Sequence, residues 1–173
     1  DLHSFPTRRS SDLWIKVNST NTVAKFLSMN NIENGSVIIS EKQSNAKGRS
    51  GKFWESPLGG IWLSIVLNPQ VEHSKLPFIT LATGVAVANA LEKIGIDNAE
   101  IKWPNDIYIN DKKVCGILTE AIAQFNTIEN VIIGVGIDAN FDYEEFPEVL
   151  KEDSTTLKEE LGEEVDRKST RLN

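Results

Sequence analysis

A chain of 173 residues is long enough for one domain with a hydrophobic core, and its net charge of -7 excludes broad attraction to nucleic acid or anionic membrane surfaces. Any anionic ligand must therefore be held by a local basic cluster. A single cysteine, Cys115, excludes an internal disulfide and a Cys-x-x-Cys metal site, no secretory signal is visible, and no apolar run reaches the roughly 18–20 residues of a bilayer span; a cytoplasmic setting is expected.

The ends read as foreign to the rest. "DLHSFPTRRSSDL" (1–13) has no hydrophobic period, and "RKSTRLN" (167–173) is equally irregular. Four of the five arginines fall in these two stretches. Both are expected to be non-native, adapter-like tails, poorly ordered, around one domain spanning residues 14–166. In chain order, Ser19-Thr20-Asn21 precedes "TVAKFLSM" and predicts a side-chain-capped helix. "SVIISEKQ" (36–43) is a β-branched strand. "GGIWLSIVL" (59–67) is a continuous apolar strand closed by Asn68-Pro69. Pro77 opens a long helix with apolar positions 78, 81, 82, 85, 88, 91 and 94, whose Ala82, Gly84, Ala86 and Ala88 predict close packing on a sheet.

"AEIKWPNDIYIN" (99–110) reads as a strand interrupted at Pro104, and Asn110-Asp111 turns it into "KVCGILTEAIA" (113–123) as a hairpin. "NVIIGVGIDANF" (130–141) is a buried strand with glycines where a ligand or another backbone comes close. "EEFPEVLKED" is acidic and irregular, and "STTLKEELG" is a helix with Thr156 and Glu159 at capping-box spacing. Strands in hairpin order with a few helices predict an α+β fold with a mixed, largely antiparallel sheet.

Two stretches carry candidate chemistry. In "KQSNAKGRSGKFWESPLGG" (42–60), Lys42, Lys47, Arg49 and Lys52 fall within eleven residues, with Gly48 and Gly51 flanking Arg49 and Trp54 close by. Between the two ends the chain has twelve lysines and one arginine, Arg49. A guanidinium makes paired hydrogen bonds to one phosphate and keeps its charge at any working pH. The loop has neither Walker A nor dinucleotide-fingerprint spacing. Composition leaves a phosphate clamp and a solvated basic loop as equal readings. In "IKWPNDIYINDKKVCGIL", Asn105 and Asp106 follow a strand break, and Lys113 starts the returning strand, able to point back toward that break. Read alone, the first is a structural turn with Trp103 as a core aromatic, and Lys113 is an ordinary strand-end lysine.

Together, "STNTVAK" (19–25), the glycine-basic loop with "SPLGGIWLS", and "KWPNDIYINDKKVCGILTE" followed by "IIGVGIDAN" resemble the catalytic domain of biotin–protein ligases, also called biotin–[acetyl-CoA-carboxylase] ligases. The likeness runs from about residue 15 to 166. It implies the class II aminoacyl-tRNA synthetase/biotin ligase-like fold and a two-step enzyme. Biotin and ATP, with Mg²⁺, would give biotinyl-5′-AMP, and the biotin would pass to a lysine of a biotin carboxyl carrier protein. It implies catalytic roles for Lys113, Arg49 and Asp106, the last either orienting Lys113 or holding Mg²⁺. Biotin would meet Ser19, Thr20, Asn21, Gln43, Lys47, Trp54, Gly59, Gly60, Lys113 and Gly116. ATP or the adenylate would meet Lys47, Gly48, Arg49, Trp54, Asn105, Lys113, Asp138 and Asn140.

No dedicated protein metal site is expected. Members of the family often form homodimers edge to edge, and no membrane or nucleic-acid partner is expected for these residues. Alternatives are a lipoate or octanoate ligase of similar fold, or a biotin-binding sensor without transfer. The family's small C-terminal β-domain is expected to be missing, which would leave a weak or inactive fragment. Three positions depart from the family pattern: Ala46-Lys47 stands for its usual Gly-Arg, Asp138 for its asparagine, and Cys115 for its alanine, which reads as a small buried side chain.

Overall fold

The computed structural model describes residues 11–30, 32–69, 71–124 and 127–167. One seven-stranded sheet organises them, in the order β1-β2-β3-β7-β6-β5-β4. The strands are β1 Ser11–Trp14, β2 Val37–Ser40, β3 Ile61–Leu67, β4 Glu100–Lys102, β5 Asp106–Ile109, β6 Lys112–Gln124 and β7 Thr127–Ile137. Only the β1–β2 edge is parallel; the other pairings are antiparallel. The sheet is therefore mixed and largely antiparallel, as the sequence predicts. Residues 11–13, read above as part of a tail, form most of β1, because extended backbone can pair with an open sheet edge whatever its side chains.

The helices are α1 Thr20–Ser28, α2 Leu76–Glu92, α3 Glu148–Lys151 and α4 Leu157–Leu161. Side chains alternate across a strand, so register decides which face each one occupies. Ser64 pairs with Gly134 and Trp62 with Gly136; those glycines pair with Leu118 and Gly116 in turn. That face carries α1, which packs Ala24 on Ile38, Val66 and Ile132. Trp62, Phe141 and Phe146 close its other end. The opposite face holds the larger core, including Ile61, Leu91, Ile117, Ile133, Val135 and Leu157, under α2 and α4. Each fully buried aliphatic side chain there contributes about 1.5–3 kcal/mol relative to exposure.

Several local expectations need correction. Ser19 occupies the N-cap position of α1 but makes no side-chain cap. The cap comes from elsewhere: Gln43 Oε1 accepts the Thr20 backbone N–H at 2.8 Å. The packed face of α2 is Leu76, Ile79, Gly84, Val87 and Leu91, which keeps Gly84, Leu91 and, beyond the helix, Ile94 of the predicted face but turns Phe78, Leu81, Ala82 and Val85 outward. Gly84 lies against Ile101 and Ile117, while Ala82 and Ala86 are exposed and Phe78, Leu81 and Val85 are 65%, 40% and 45% exposed. The helix is apolar on both sides, so periodicity could not choose between them.

With its preceding turn, α2 is a 20-residue stretch, His73–Glu92, long and apolar enough by length and composition to cross a membrane. Thr80, Thr83 and Asn89 interrupt the run that sequence reading looked for. The expected interruption at Pro104 is a hairpin between β4 and β5, with a cis Trp103–Pro104 peptide and Trp103 76% exposed, not in the core. Asn110 and Asp111, at φ 50° and 63°, form the predicted two-residue turn. The acidic stretch after β7 folds into a 3₁₀ turn, Tyr143–Glu145, and α3. Thr156 caps α4 by accepting the Glu159 N–H at 3.2 Å.

Candidate active site

The cavity on the α1 face exists because three glycines leave room for it. Gly116, Gly134 and Gly136 stand at face positions where any Cβ would strike another side chain. At Gly116 and Gly136 it would lie 2.7 Å from the Trp54 indole, and at Gly134 it would lie 2.3 Å from Asn21 Oδ1. The indole therefore lies flat on the sheet, and Asn21 reaches down to it. Above them opens a space of about 560 Å³ lined by residues from α1, the basic loop, β5, β6, β7 and the segment before α4. Gly134→Ala is expected to displace Asn21 and destabilise the fold by about 1–3 kcal/mol through overpacking. Thermal melting reads this, and an unchanged melting temperature would mean that the Asn21 contact gives way freely.

One wall is neutral and polar. Ser64 Oγ lies 2.6 Å from Asn21 Oδ1 and 2.7 Å from Thr20 Oγ1. Gln43 accepts from Thr20 N and donates Nε2–H to Ser56 Oγ at 3.0 Å. The other wall is cationic. Arg49 is exposed and donates Nη1–H to Asn105 Oδ1 at 3.1 Å, and Asn105 Nδ2 donates to Ile117 O. Ser50 and Gly51, at φ 57° and 73°, supply the left-handed bend that carries Arg49.

Lys113 arrives by a register device. It pairs with Tyr108, but Cys115 pairs with Ile107 and Gly116 with Asp106. Val114 is thus an extra residue, a β-bulge. Strict alternation from Gly116 would send Lys113 to the α2 face. The bulge returns it to the cavity face, while Val114 and Cys115 both enter the core. The segment before α4 pins the backbone there: Lys113 N donates to Asp153 O at 2.7 Å and Thr155 N to Lys113 O at 2.9 Å.

The Lys113 ammonium lies 2.7 Å from Asp106 Oδ1 and 5.0 Å from the centre of the Trp54 ring. Asp106 Oδ1 is buried, so the ion pair holds the Lys113 ammonium beside β5. Burial holds the Asp138 carboxyl well above the ordinary carboxylate range, against the opposing pull of Lys113. Burial also pushes up the Cys115 thiol, with Asp138 adding to the rise, so Cys115 is an inert core side chain. Among the described residues no group of three histidine, cysteine or carboxylate side chains gathers to hold a metal.

Of the residues singled out from sequence, Ser19, Thr20, Asn21, Gln43, Lys47, Gly48, Arg49, Trp54, Asn105, Asp106, Lys113, Gly116 and Asp138 line this cavity. Gly59, Gly60 and Asn140 are outside its lining. Gly59, at φ 99°, passes so close to Asn140 that a Cβ would lie 2.7 Å from its carbonyl oxygen. Gly60 meets the Trp62 ring and accepts from Arg167 Nη1 at 3.1 Å. The Asn140 side chain both donates to and accepts from the Val165 backbone. Arg167, read above as the start of a tail, also pairs with Glu41 at 2.8 Å. Sequence reading missed Ser64, Lys25 and Glu120, which stand outside the lining and support the neutral wall from behind through Asn21, over long sequence separations that carry no local signal.

Known structures share this architecture. The chain superposes on a biotin protein ligase from Aquifex aeolicus in complex with biotin and ATP with a TM-score of 0.79 and 34% identity, covering 95% of this chain and 66% of that one. A biotin protein ligase from Leishmania major in complex with biotinyl-5-AMP gives a TM-score of 0.78 at 22% identity, over 95% and 71% of the two chains. The fold is that of the class II aminoacyl-tRNA synthetases and biotin ligases.

The sequence profile of the Biotin/lipoate A/B protein ligase family matches residues 14–138, and the chain belongs to that family. It is 41% identical over 152 residues to the bifunctional ligase/repressor BirA of Bacillus spizizenii, over 87% of this chain and 47% of that protein. The chain thus spans about half the length of this relative.

Proposed function

We propose that these residues form the catalytic core of an ATP-dependent biotin–protein ligase, which makes biotinyl-5′-AMP from biotin and ATP and passes the biotin to a lysine of a biotin carboxyl carrier protein in the cytoplasm. The observation that carries this reading is convergence: Arg49 and Lys113, far apart in sequence, line one cavity opposite the neutral wall of Thr20, Asn21 and Gln43. Neutral donors and acceptors suit a cyclic urea, and cations suit a carboxylate meeting a phosphate. In the first step a carboxylate oxygen attacks the α-phosphorus and the bond to pyrophosphate breaks. Lys113 and Arg49 offset the negative charge that gathers there. In the second, the acceptor amine attacks the acyl carbon and AMP leaves. Trp54 supplies an apolar surface between the two walls.

Magnesium, carried with the nucleotide, would neutralise phosphate charge. The donor set fits that role, since Mg²⁺ is commonly held by one or two carboxylates together with substrate phosphates. Glu55, Asp106 and Asp153 are the lining carboxylates suited to it, while burial raises the Asp138 carboxyl well above the ordinary range. Incubation with labelled biotin, ATP and Mg²⁺ tests the reading, with the chain in its natural full-length context. Biotinyl-adenylate should form, and carrier protein should become labelled. Biotin and ATP together should raise the melting point more than either alone, since a ligand at a hundred times Kd stabilises by about 2.7 kcal/mol. Competition by lipoate would favour the lipoate alternative, and tight biotin binding without transfer would favour a sensor.

A further inference from the structure

We infer that Glu120, with Lys25, is a positioning residue that fixes which atoms of the cavity's neutral wall donate and which accept, and so selects a cyclic urea. The inference deepens the biotin reading and rests on it. Glu120 follows Gly116 and Leu118 on the same face of β6 but lies outside the cavity lining. Its carboxylate lies between two residues one helical turn apart on α1. Oε1 meets Lys25 Nζ at 2.5 Å, and Oε2 accepts from Asn21 Nδ2 at 2.8 Å.

An ionised carboxylate can only accept. The Asn21 amide must therefore turn its NH₂ toward Glu120 and its oxygen toward Ser64, 2.6 Å away. The single Ser64 proton goes to that oxygen, so the Thr20 hydroxyl, 2.7 Å from Ser64, must supply its own proton to Ser64 or to Gln43 Oε1 at 3.2 Å. Gln43 Oε1 already accepts from the Thr20 backbone, which leaves its NH₂ as the donor to Ser56. One carboxylate thus sets the sense of the hydrogen bonds linking Asn21, Ser64 and Thr20, while the Thr20 backbone N–H holds Gln43 by itself. Without it, Asn21 can turn over, present NH₂ to Ser64, and reverse that link. A urea has one carbonyl acceptor flanked by two N–H donors, so it registers that reversal, whereas the triphosphate, held by the cationic wall, does not.

The test compares Glu120→Ala and Glu120→Gln with the unaltered protein. Biotin affinity is read by calorimetry, adenylate kinetics by ATP KM and kcat at saturating biotin, and the Asn21 side-chain amide by NMR in each protein. Glu120→Ala should weaken biotin about tenfold, the equivalent of one net hydrogen bond, with ATP KM and kcat within about twofold. Glu120→Gln keeps the shape and an acceptor oxygen, so it should recover part of the loss. The Asn21 amide signals should shift in Glu120→Ala and return most of the way in Glu120→Gln. If Glu120→Ala proves unstable, Glu120→Gln and its amide signals carry the decision. Unchanged biotin affinity in both variants, an equal loss in ATP KM and kcat, or amide signals blind to Glu120 would overturn the inference. Absence of biotin binding by the unaltered protein would remove the ligase reading and the urea selection together, and amide signals that still respond to the Glu120 substitutions would distinguish this from a failure of the network.

Discussion

Lys113→Ala is expected to slow biotinyl-adenylate formation by about 100-fold or more, the loss seen when one preorganised donor to a developing anion is removed. The substitution removes the cation that converges with Arg49 on the cavity and leaves Asp106, only 23% exposed in its side chain, beside no partner. Part of any lost activity could therefore be lost fold. Lys113→Ala combined with Asp106→Asn separates the two, because it removes the stranded carboxylate as well. The double variant should recover melting temperature and not rate. Rapid-quench measurement of adenylate in a single turnover reads the chemical step directly, and a near-normal rate would remove Lys113 from it.

Asp138→Asn is expected to change how stability depends on pH. The folded protein holds Asp138 protonated to a higher pH than the unfolded chain does, because burial penalises the charged form more than Lys113 favours it. Between the ordinary carboxylate pKa of about 4 and the raised folded value, the native state therefore binds more protons than the unfolded state. Stability from this group is full below that window and falls as pH rises through it. The asparagine variant lacks the fall, so it should gain on the parent from acid toward neutral pH. A gain of about 1 kcal/mol would appear as roughly 2–4 °C in Tm. Parallel Tm–pH curves for the two proteins would show that Asp138 does not titrate in this way. While protonated, the carboxyl offers one donor and one acceptor, much as the amide that the resemblance expects at this position would.

Much of the fold was legible in the sequence because its signals are local. The Asn110-Asp111 turn, the glycine-bounded β3 and the Thr156 cap each depend on a few adjacent residues. The glycines of "GVG" were readable as places of close approach, though not as the seats of Trp54 and Asn21. What failed depended on packing. The two-sided apolar surface of α2 hid its buried face, and Trp103 next to a proline gave no clue that it would face solvent. The convergence of Arg49 and Lys113 was predicted from the motifs, but the reason Lys113 points the right way was not, since a strand read with period two places it wrongly. Glu120 lay beyond reach, 99 residues from the asparagine it holds.

The extra residue at Val114 makes the chemistry a matter of counting. The ammonium faces the cavity, three places before Gly116, because β6 has one residue more than its partner between Tyr108 and Ile107. Exchanging Lys113 and Val114 would preserve every charge and the whole composition, yet turn the lysine into the oily interior beneath the long helix. Homologues in which this strand is one residue shorter should therefore carry their cation two places before the glycine instead of three.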